Sequence, residues 1–419
     1  MRKFTMMFLA VLFVVAAAAP AMATDARQQA LAGVGNYIED DFNIFSWPAT
    51  LTSYSNMVWI GLGSYYYDYY PDNLGQNGAE MTYLGASYGL GSENKYGTLA
   101  MFLHHYGMPL NPFPQNAWPG SGVFDWTLDS KWTIMWAYPM EKLSFGLYFN
   151  RSDNGYKHEE EAIEDSYDNH YAYTTIGASV RFDIGEKAYA DLGFDLSLAS
   201  YKDENTSYGD ISDNSRMMMG VKGRMFYQWN ETITWVPFVN FRNFDFSLKA
   251  DSADYVDDHW GDKGMMFDLG IGANIKVNED NMLIFAMEPF SYWKREPSEP
   301  PAGVSAEWKA TVMPRFFLAL ESDVKDWLTF RAGAYKEFVK EEMKQEVTDE
   351  GKNFNTSIYS DYDFFMGLGF HVGDFDIDAV VNNSLPFRLG YWLTGFQPDY
   401  YNEGWQNAPV YMITGTYHF

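Results

Sequence analysis

The sequence predicts an all-β fold: a transmembrane antiparallel β-barrel of about 16 strands, with short turns at one edge and long loops at the other. Three observations support this prediction. The chain begins with an export signal, several segments alternate strictly between apolar and polar residues, and short and long connections follow one another along the chain. Merging one pair of neighbouring strands would leave about 14, the alternative that keeps an even number.

The first residues form an export signal. Arg2 and Lys3 precede an apolar run over residues 4–19, which Pro20 and the small residues of 21–23 follow. This order predicts a signal peptide over residues 1–23 that is cleaved after Ala23. The alternative, a membrane anchor, is disfavoured because the run is shorter than the roughly 20 residues that a spanning helix needs. We therefore expect export to the outer membrane of a Gram-negative-type cell.

The composition narrows the class of protein. The 419 residues include 18% aromatic residues and no cysteine, and they carry a net charge of −27. Aromatic side chains are enriched at membrane interfaces, and the absence of cysteine excludes disulfides and thiolate metal sites. The acidity argues against a nucleic-acid partner. No segment after the signal has about 18 consecutive apolar residues, so a closed barrel is the membrane-spanning structure that remains.

The alternating segments predict strands with one face for lipid and one for water. The clearest covers residues 265–277, where Met265, Phe267, Leu269 and Ile271 alternate with Asp268, Gly270, Gly272 and Asn274. Residues 191–198 and 217–228 follow the same rule. A helix would place the charged residues on its apolar stripe, so the period of two favours a β-strand.

Turn residues divide the connections into two kinds. Short turns are predicted at 92–95, 140–142, 185–187, 230–232, 278–281, 324–326 and 373–374, and we assign them to the periplasmic edge. Long extracellular loops are predicted near 70–77, 108–129, 153–169, 202–214, 249–262, 294–304, 340–357 and 385–409. Their regular alternation gives the 16 strands and places both ends of the barrel at the periplasmic edge.

The C-terminus predicts an assembly signal. Tyr411, Ile413, Tyr417 and Phe419 share one face of the last strand, and the chain stops at the aromatic Phe419. A final aromatic residue at this spacing resembles the signal that outer-membrane proteins present to the assembly machinery. We therefore expect that machinery to be a partner of the chain.

The mature N-terminus resembles a known family. The resemblance rests on Ala26-Arg27, on residues 30–35 (Ala-Leu-Ala-Gly-Val-Gly), on Asp40-Asp41, and on Pro48-Ala49 with Leu51. This stretch looks like the opening of the long-chain fatty-acid transporter family and its relatives, including the barrel proteins of type IX secretion. In that family it precedes or plugs the barrel, which implies hydrophobic-solute uptake or a scaffold role. Trp47 stands where the family has Asn, and the predicted strand number exceeds the family's.

This resemblance suggests how the chain is divided. We expect a pre-barrel or plug segment over residues 24–53 and the barrel over residues 54–419. Phe42, Phe45, Trp47 and Pro48 are the predicted plug residues, because such apolar side chains would be costly to leave in water. We expect them to pack inside the mouth of the barrel.

Charged residues of both signs are predicted to face the lumen. The pore-lining candidates are Arg181, Lys222, Arg224, Arg242, Asp268, Glu288, Arg315 and Arg331. In an open pore they would create a transverse field that selects polar or charged solutes, and in a plugged barrel they would form a solvated ion-pair network. The width of a barrel of this size favours the channel.

Three pairs of glycines are predicted on the lumen face: Gly61 with Gly63, Gly270 with Gly272, and Gly367 with Gly369. Glycine can relieve curvature in a closed sheet, or it can admit a close approach of another segment. We favour the first interpretation for these pairs.

The aromatic loops 108–129 and 385–409 could fold over the mouth or belong to interfacial aromatic belts.

No cofactor, metal site or enzymatic activity is predicted. The acidic runs near 159–165 and 251–258 lack the spacing of a calcium loop. The string Gly85-Ala86-Ser87-Tyr88-Gly89 matches a nucleophile elbow, but the alternation predicts a strand through it rather than a strand-to-helix turn.

The sequence therefore favours an outer-membrane channel or transporter for small solutes. The alternatives are a non-conducting scaffold that docks a partner and a barrel for hydrophobic, fatty-acid-like solutes. Expected partners are outer-membrane lipid and lipopolysaccharide, the assembly machinery and a small solute.

Overall fold

The protein forms a closed antiparallel β-barrel, as predicted. The structure, a computed structural model, describes residues 25–65, 79–105, 130–160, 165–205, 209–245, 262–297, 304–347, 351–381 and 410–419. Sixteen strands lie within these ranges, and each pairs with its neighbours along the chain. The predicted signal peptide and the aromatic loops 108–129 and 385–409 lie outside the described residues. No helix of the described residues has the length and apolar character that a membrane span requires.

The barrel closes between its first and last strands, where Met57 lies opposite His418 and Ile60 opposite Gly415. The strands are β1 Met57–Tyr65, β2 Ala79–Gly89, β3 Thr98–His105, β4 Ser130–Pro139, β5 Leu143–Glu160, β6 Asp165–Asp183, β7 Ala188–Asn205, β8 Gly209–Gln228, β9 Ile233–Asp245, β10 Asp262–Lys276, β11 Asn281–Pro297, β12 Val304–Lys325, β13 Leu328–Val347, β14 Gly351–Val372, β15 Phe375–Val381 and β16 Val410–His418.

The two faces of the wall differ as the alternation predicts. On β7, Leu192 and Phe194 are 49% and 44% exposed on the outside, whereas Asp191 and Asp195 are buried on the inside. On β12, Leu318 is exposed while Phe317 and Ala319 are buried. An exposed surface of Leu, Ile and Phe is costly in water and suits lipid. The outward face is therefore the membrane-facing surface of the barrel.

All seven predicted short turns connect consecutive strands at one edge of the barrel. Gly185, in the turn between β6 and β7, has a φ of +72°, a conformation that glycine adopts without steric cost. The start of β1 and the end of β16 pair at this same edge. We call it the short-turn edge and the opposite one the long edge.

Several predicted loops are wrong, because the strands continue through them. The predicted loop 340–357 lies mostly in β13 and β14, where Lys340 pairs with Ile358. The loops predicted at 153–169, 202–214 and 294–304 are likewise shortened by β5 to β8, β11 and β12. A strand needs about 9–11 residues to cross a bilayer, yet β12 and β14 have 22 each. Beyond the lipid both faces meet water, so polar residues lie on both sides of a continuous strand and resemble a loop in sequence.

The last strand is packed at its end. Tyr417 stacks on Phe375 with ring centroids 4.6 Å apart, and the backbone N–H of Phe419 donates to the carbonyl of Asn56 at 3.0 Å. Ile413 is exposed on the outer face, and Tyr411 lies within β16. The role of these residues as an assembly signal stays a prediction.

Candidate functional site

The N-terminal segment, residues 25–54, lies against the inward face of the barrel wall. It consists of helix α1, Asp25–Ala30, and three short 3-10 helices over Val34–Asn36, Asp41–Phe45 and Pro48–Ser53. Asp40 begins the second of these by accepting the backbone N–H of Phe42 at 2.8 Å. Pro48 occupies the start of the third, where its missing N–H costs nothing.

Two apolar clusters join the segment to the wall. In the first, Phe45 packs on Phe102 of β3 with ring centroids 4.8 Å apart, and half-buried Phe42 packs beside it. In the second, the fully buried Trp47 lies with Tyr37 against residues of β8, β9, β11 and β12. Burying a side chain of this size contributes roughly 1.5–3 kcal/mol. The four predicted plug residues therefore all lie in the segment, and Pro48 contacts the wall beside Gly146.

An ion-pair network connects α1 to the wall near the short-turn edge. Arg27 binds Glu321 of β12 through two hydrogen bonds, Nε to Oε2 at 2.6 Å and Nη2 to Oε1 at 2.7 Å. Glu321 also accepts a bond from Arg331 of β13 at 2.6 Å, and Arg331 pairs with Asp378 of β15. Arg27 reaches back to Asp40 of its own segment at 3.2 Å. We call Arg27, Glu321, Arg331 and Asp378 the latch network.

A second network holds the opposite side of the segment. Arg224 of β8 pairs with Asp191 at 2.9 Å and donates to the carbonyl of Ile38 at 3.0 Å. Its guanidinium lies 4.9 Å from the ring centre of Trp47, a cation–π distance. Arg181 binds both Asp191 and Glu39 at 2.7 Å.

A third set of contacts surrounds Tyr37. Its hydroxyl donates to Glu288 of β11 at 3.0 Å, and Arg315 binds Glu288 at 2.9 Å and Glu337 at 2.6 Å. Asn274 donates to the Tyr37 carbonyl at 2.8 Å. Tyr37 thereby joins the segment to β10, β11 and β12.

In two of the three glycine pairs, one glycine has a different role from the one that the sequence favoured. A Cβ at Gly270 would lie 2.0 Å from the Tyr37 hydroxyl oxygen, and one at Gly367 would lie 2.5 Å from the Ala30 Cβ. Gly333 similarly meets the backbone of Leu31. These glycines admit the N-terminal segment, so the curvature interpretation is wrong at Gly270 and Gly367.

The pore-lining candidates lie on the inner face and are engaged there. Lys222 pairs with Asp195 at 3.7 Å and lies 5.5 Å from the Trp47 ring, and Asp268 accepts from Asn240 at 2.9 Å. Arg242 lies near Tyr148 and Tyr173 on the same face. The sequence reasoning missed Arg27, Tyr37 and Glu39 as their partners. Arg27 precedes the predicted plug residues and belongs to the stretch that carries the family resemblance, and this cation was the available signal.

A buried carboxylate pair lies inside the segment. Asp41 accepts the indole N–H of Trp59 at 2.7 Å and is hydrogen-bonded to Asp40. Burial, and next the charge of Asp40, raise the pKa of Asp41 well above its ordinary range. Burial also raises the pKa of Asp40, an effect that the charge of Arg27 opposes. Asp41 is therefore the member of the pair that retains a proton.

Ser87 has a structural role. The strand β2 continues through Gly85 and Gly89, as predicted. The Ser87 hydroxyl donates to the carbonyl of Tyr54 at 2.6 Å and accepts from the N–H of Met57 at 3.2 Å. These bonds hold the junction between the segment and β1. Among the described residues, no group of His, Asp and Glu is arranged to hold a metal ion.

Comparison with known proteins gives fold-level similarity alone. No family model matches the sequence, and no curated protein matches it. CdiB from Escherichia coli is 8% identical with a TM-score of 0.41, over 87% of this chain and 62% of that one. The Pseudomonas putida toluene transporter TodX is 10% identical with a TM-score of 0.39, over 96% and 97%. The CymD monoaromatic hydrocarbon channel is 11% identical with a TM-score of 0.38, over 95% and 98%.

This chain spans less than two thirds of the length of CdiB. Similarities at this level carry no argument about solute or partner. The N-terminal resemblance to the fatty-acid transporter family rests on its quoted residues alone.

Proposed function

We propose that the protein is an outer-membrane channel for small solutes, closed by its N-terminal segment and opened when that segment moves. The lipid-facing outer surface, the closed strand pairing and the predicted export signal support this location. In this account residues 25–54 are a plug, and the three networks of the inner wall hold it in the closed position.

The observation that carries the proposal is that the N-terminal segment contacts the inner wall on several sides. An empty barrel of 16 strands encloses an aqueous channel. Here the plug contacts β3 to β6 through Pro48–Ser53, and β13 to β16 through α1. Its central residues Leu31, Trp47 and Leu51 are fully buried. Solute flow therefore depends on displacement of the plug.

The contacts between the plug and the wall can break and form again. The segment adds no strand to the barrel, and several of its links to the wall are ion pairs and side-chain hydrogen bonds. Buried ion pairs contribute little net stability, because the loss of hydration offsets the attraction, but they fix one geometry. Such contacts define a closed state without making it permanent.

The lining favours polar solutes. Arg315, Glu288 and Asp268 lie on the inner face of β10 to β12, and Lys222 and Asp195 lie on that of β7 and β8. An opened lumen would therefore present both signs of charge. Groups of both signs favour small polar or zwitterionic solutes over apolar ones.

A disulfide tether tests the need for plug movement. The N–H of Ala49 in the plug donates to the Ser179 hydroxyl of β6 at 2.7 Å, and the chain has no native cysteine. In the variant Ala49→Cys/Ser179→Cys, oxidation is expected to stop solute uptake into proteoliposomes, and reduction to restore it. The control Thr175→Cys/Ser197→Cys joins two directly opposed wall residues and is expected to have no effect. Uptake that is unchanged by the oxidised plug tether would refute a moving plug.

A scaffold is the second candidate, favoured by one observation. The strands β12 to β14 extend far past the length needed to cross a bilayer, so they form a wall outside the membrane that a partner can contact. A native barrel that is impermeable under all conditions would favour this role. Uptake of fatty-acid-like solutes stays an alternative that rests on the N-terminal resemblance.

A further inference from the structure

Lysines are concentrated on the outward face of the wall near the long edge. Met265 shares the lipid face of β10 with Leu269, and both are exposed. Lys294 of β11 lies directly opposite Met265, and Lys309 of β12 lies directly opposite Lys294. Directly paired residues of neighbouring strands point to the same side of a sheet. Lys294 and Lys309 therefore face outward.

Three more lysines share this face. Glu342 of β13 lies opposite Lys309, and Lys340 and Lys344 flank it at alternate positions. Lys263 lies two residues before Met265 on β10 and therefore faces the same side. We call Lys263, Lys294, Lys309, Lys340 and Lys344 the lysine belt.

The lysine belt begins where the lipid-facing band ends. Moving toward the long edge, β11 presents Phe290 and Tyr292, stacked at 6.3 Å, and Lys294 follows them on the same face. On β13, exposed Phe338 lies between Lys336 and Lys340 on the outward face. Aromatic side chains mark the interface between hydrocarbon and headgroups. The belt thus lies at the height of the headgroups of the outer leaflet.

The charges of the belt are incompletely compensated. Lys336 and Lys352 of β13 and β14 share this face with the five lysines of the belt, and five carboxylates lie on it as well: Asp245, Glu296, Glu307, Glu342 and Glu346. Seven lysines against five carboxylates leave an excess of positive charge in a chain whose net charge is −27. Lys294 and Lys309 lie directly opposite each other, an arrangement that is destabilising for like charges. Glu307 lies within 3.3 Å of Lys294 and 2.6 Å of Lys309, and Glu296 lies within 2.8 Å of Lys294. Each lysine of the belt has a carboxylate within 3.6 Å, so a bound anion would share the lysines with these carboxylates and balance the positive charge left over on the face.

We propose that the lysine belt binds the phosphate groups of lipopolysaccharide in the outer leaflet. Lysine ammonium groups bind phosphate through charge-assisted hydrogen bonds, and basic clusters next to a membrane attract anionic headgroups. The acyl chains would then lie on the apolar wall below, around Tyr292 and Met313. The site is on the outside of the barrel, so it is independent of the plug and of solute transport.

A charge-removal series tests the site. The folded full-length protein is mixed with purified lipopolysaccharide, and bound lipopolysaccharide is measured after removal of the excess. The variant Lys294→Gln/Lys309→Gln/Lys344→Gln is expected to bind lipopolysaccharide about tenfold or more weakly than the native protein. The loss of binding in a matched control variant is expected to be roughly one tenth of that or less. The control, Lys142→Gln/Lys187→Gln/Lys325→Gln, removes the same charge from exposed turns at the short-turn edge. Heat-modifiable gel mobility verifies that each variant is folded.

Each result decides the proposal. Selective loss in the belt variant, together with stronger retention of lipopolysaccharide than of phosphatidylglycerol by the native protein, supports it. Equal binding by the native protein and the belt variant overturns the site. Equal loss in the control variant also overturns it, because the effect would then reflect overall charge. Equal retention of phosphatidylglycerol by the native protein overturns the assignment to lipopolysaccharide.

Discussion

Arg27 of the N-terminal segment and Glu321 of β12, 294 positions apart in sequence, form a two-bond ion pair inside the barrel, with N–O distances of 2.6 and 2.7 Å. Glu321 also binds Arg331, so one carboxylate is shared by a guanidinium of the N-terminal segment and one of the wall. In the proposed channel, Glu321 is therefore the wall residue that most directly defines the closed position.

The first prediction concerns this carboxylate. Glu321→Gln removes the charge that holds Arg27 and Arg331 together, and loss of one member of a buried ion pair costs about 3–5 kcal/mol. We expect the plug to become sensitive to protease while the barrel stays folded, and limited proteolysis measures this directly. Asp153→Asn is the control, because Asp153 pairs with Arg151 in a more exposed position, where such pairs contribute about 1 kcal/mol or less. Equal protease resistance of native protein and Glu321→Gln would contradict the latch role.

The second prediction concerns Trp47. Trp47→Ala removes a fully buried ring that also lies over Arg224, and such a truncation costs about 3–5 kcal/mol. Hydrogen exchange of residues 25–54 is expected to become faster, with exchange in the strands unchanged. Trp327→Ala is the control, because Trp327 is half exposed. Faster exchange in the strands as well would show that Trp47 stabilises the barrel and not the plug alone.

The third prediction concerns the glycine that admits Tyr37. Gly270→Ala places a methyl group 2.0 Å from the Tyr37 hydroxyl oxygen, so the ring is expected to move and lose its bond to Glu288. The environment of Tyr37, followed by near-ultraviolet circular dichroism, is expected to change. In Gly415→Ala the nearest atom is 3.2 Å from the new methyl group, and the spectrum should match that of the native protein.

The fourth prediction is a pH dependence of plug docking. Because burial and the charge of Asp40 raise the pKa of Asp41 in the docked state, docking favours protonated Asp41. The contribution of Asp41 is therefore fully present below its ordinary pKa of 3.8 and is lost as the pH rises through the raised value. Protease sensitivity of the plug is expected to increase with pH in the native protein. In Asp41→Asn, which keeps an acceptor for Trp59, this increase should be smaller, and an unchanged pH profile would contradict the assignment.

Sequence reasoning predicted the barrel well because its rules are local. Leu192 and Asp191 differ by one position and face opposite sides, so alternation alone assigns their environments. The lengths of β13 and β14 were missed, because a strand with water on both faces has no apolar period. The contacts of the site were missed for another reason. Arg27 and Glu321 meet only through the tertiary structure, and no periodicity connects residues so far apart in the sequence.

The central claim is that the plug closes the lumen, and single-channel conductance in a planar bilayer tests it most directly. The native barrel is expected to pass little steady current, because residues 25–54 act as its plug in the proposed channel. Glu321→Gln and Trp47→Ala are expected to show frequent openings. The controls Asp153→Asn and Trp327→Ala should behave like the native protein. A large, steady current through the native barrel that neither plug variant changes would contradict the account.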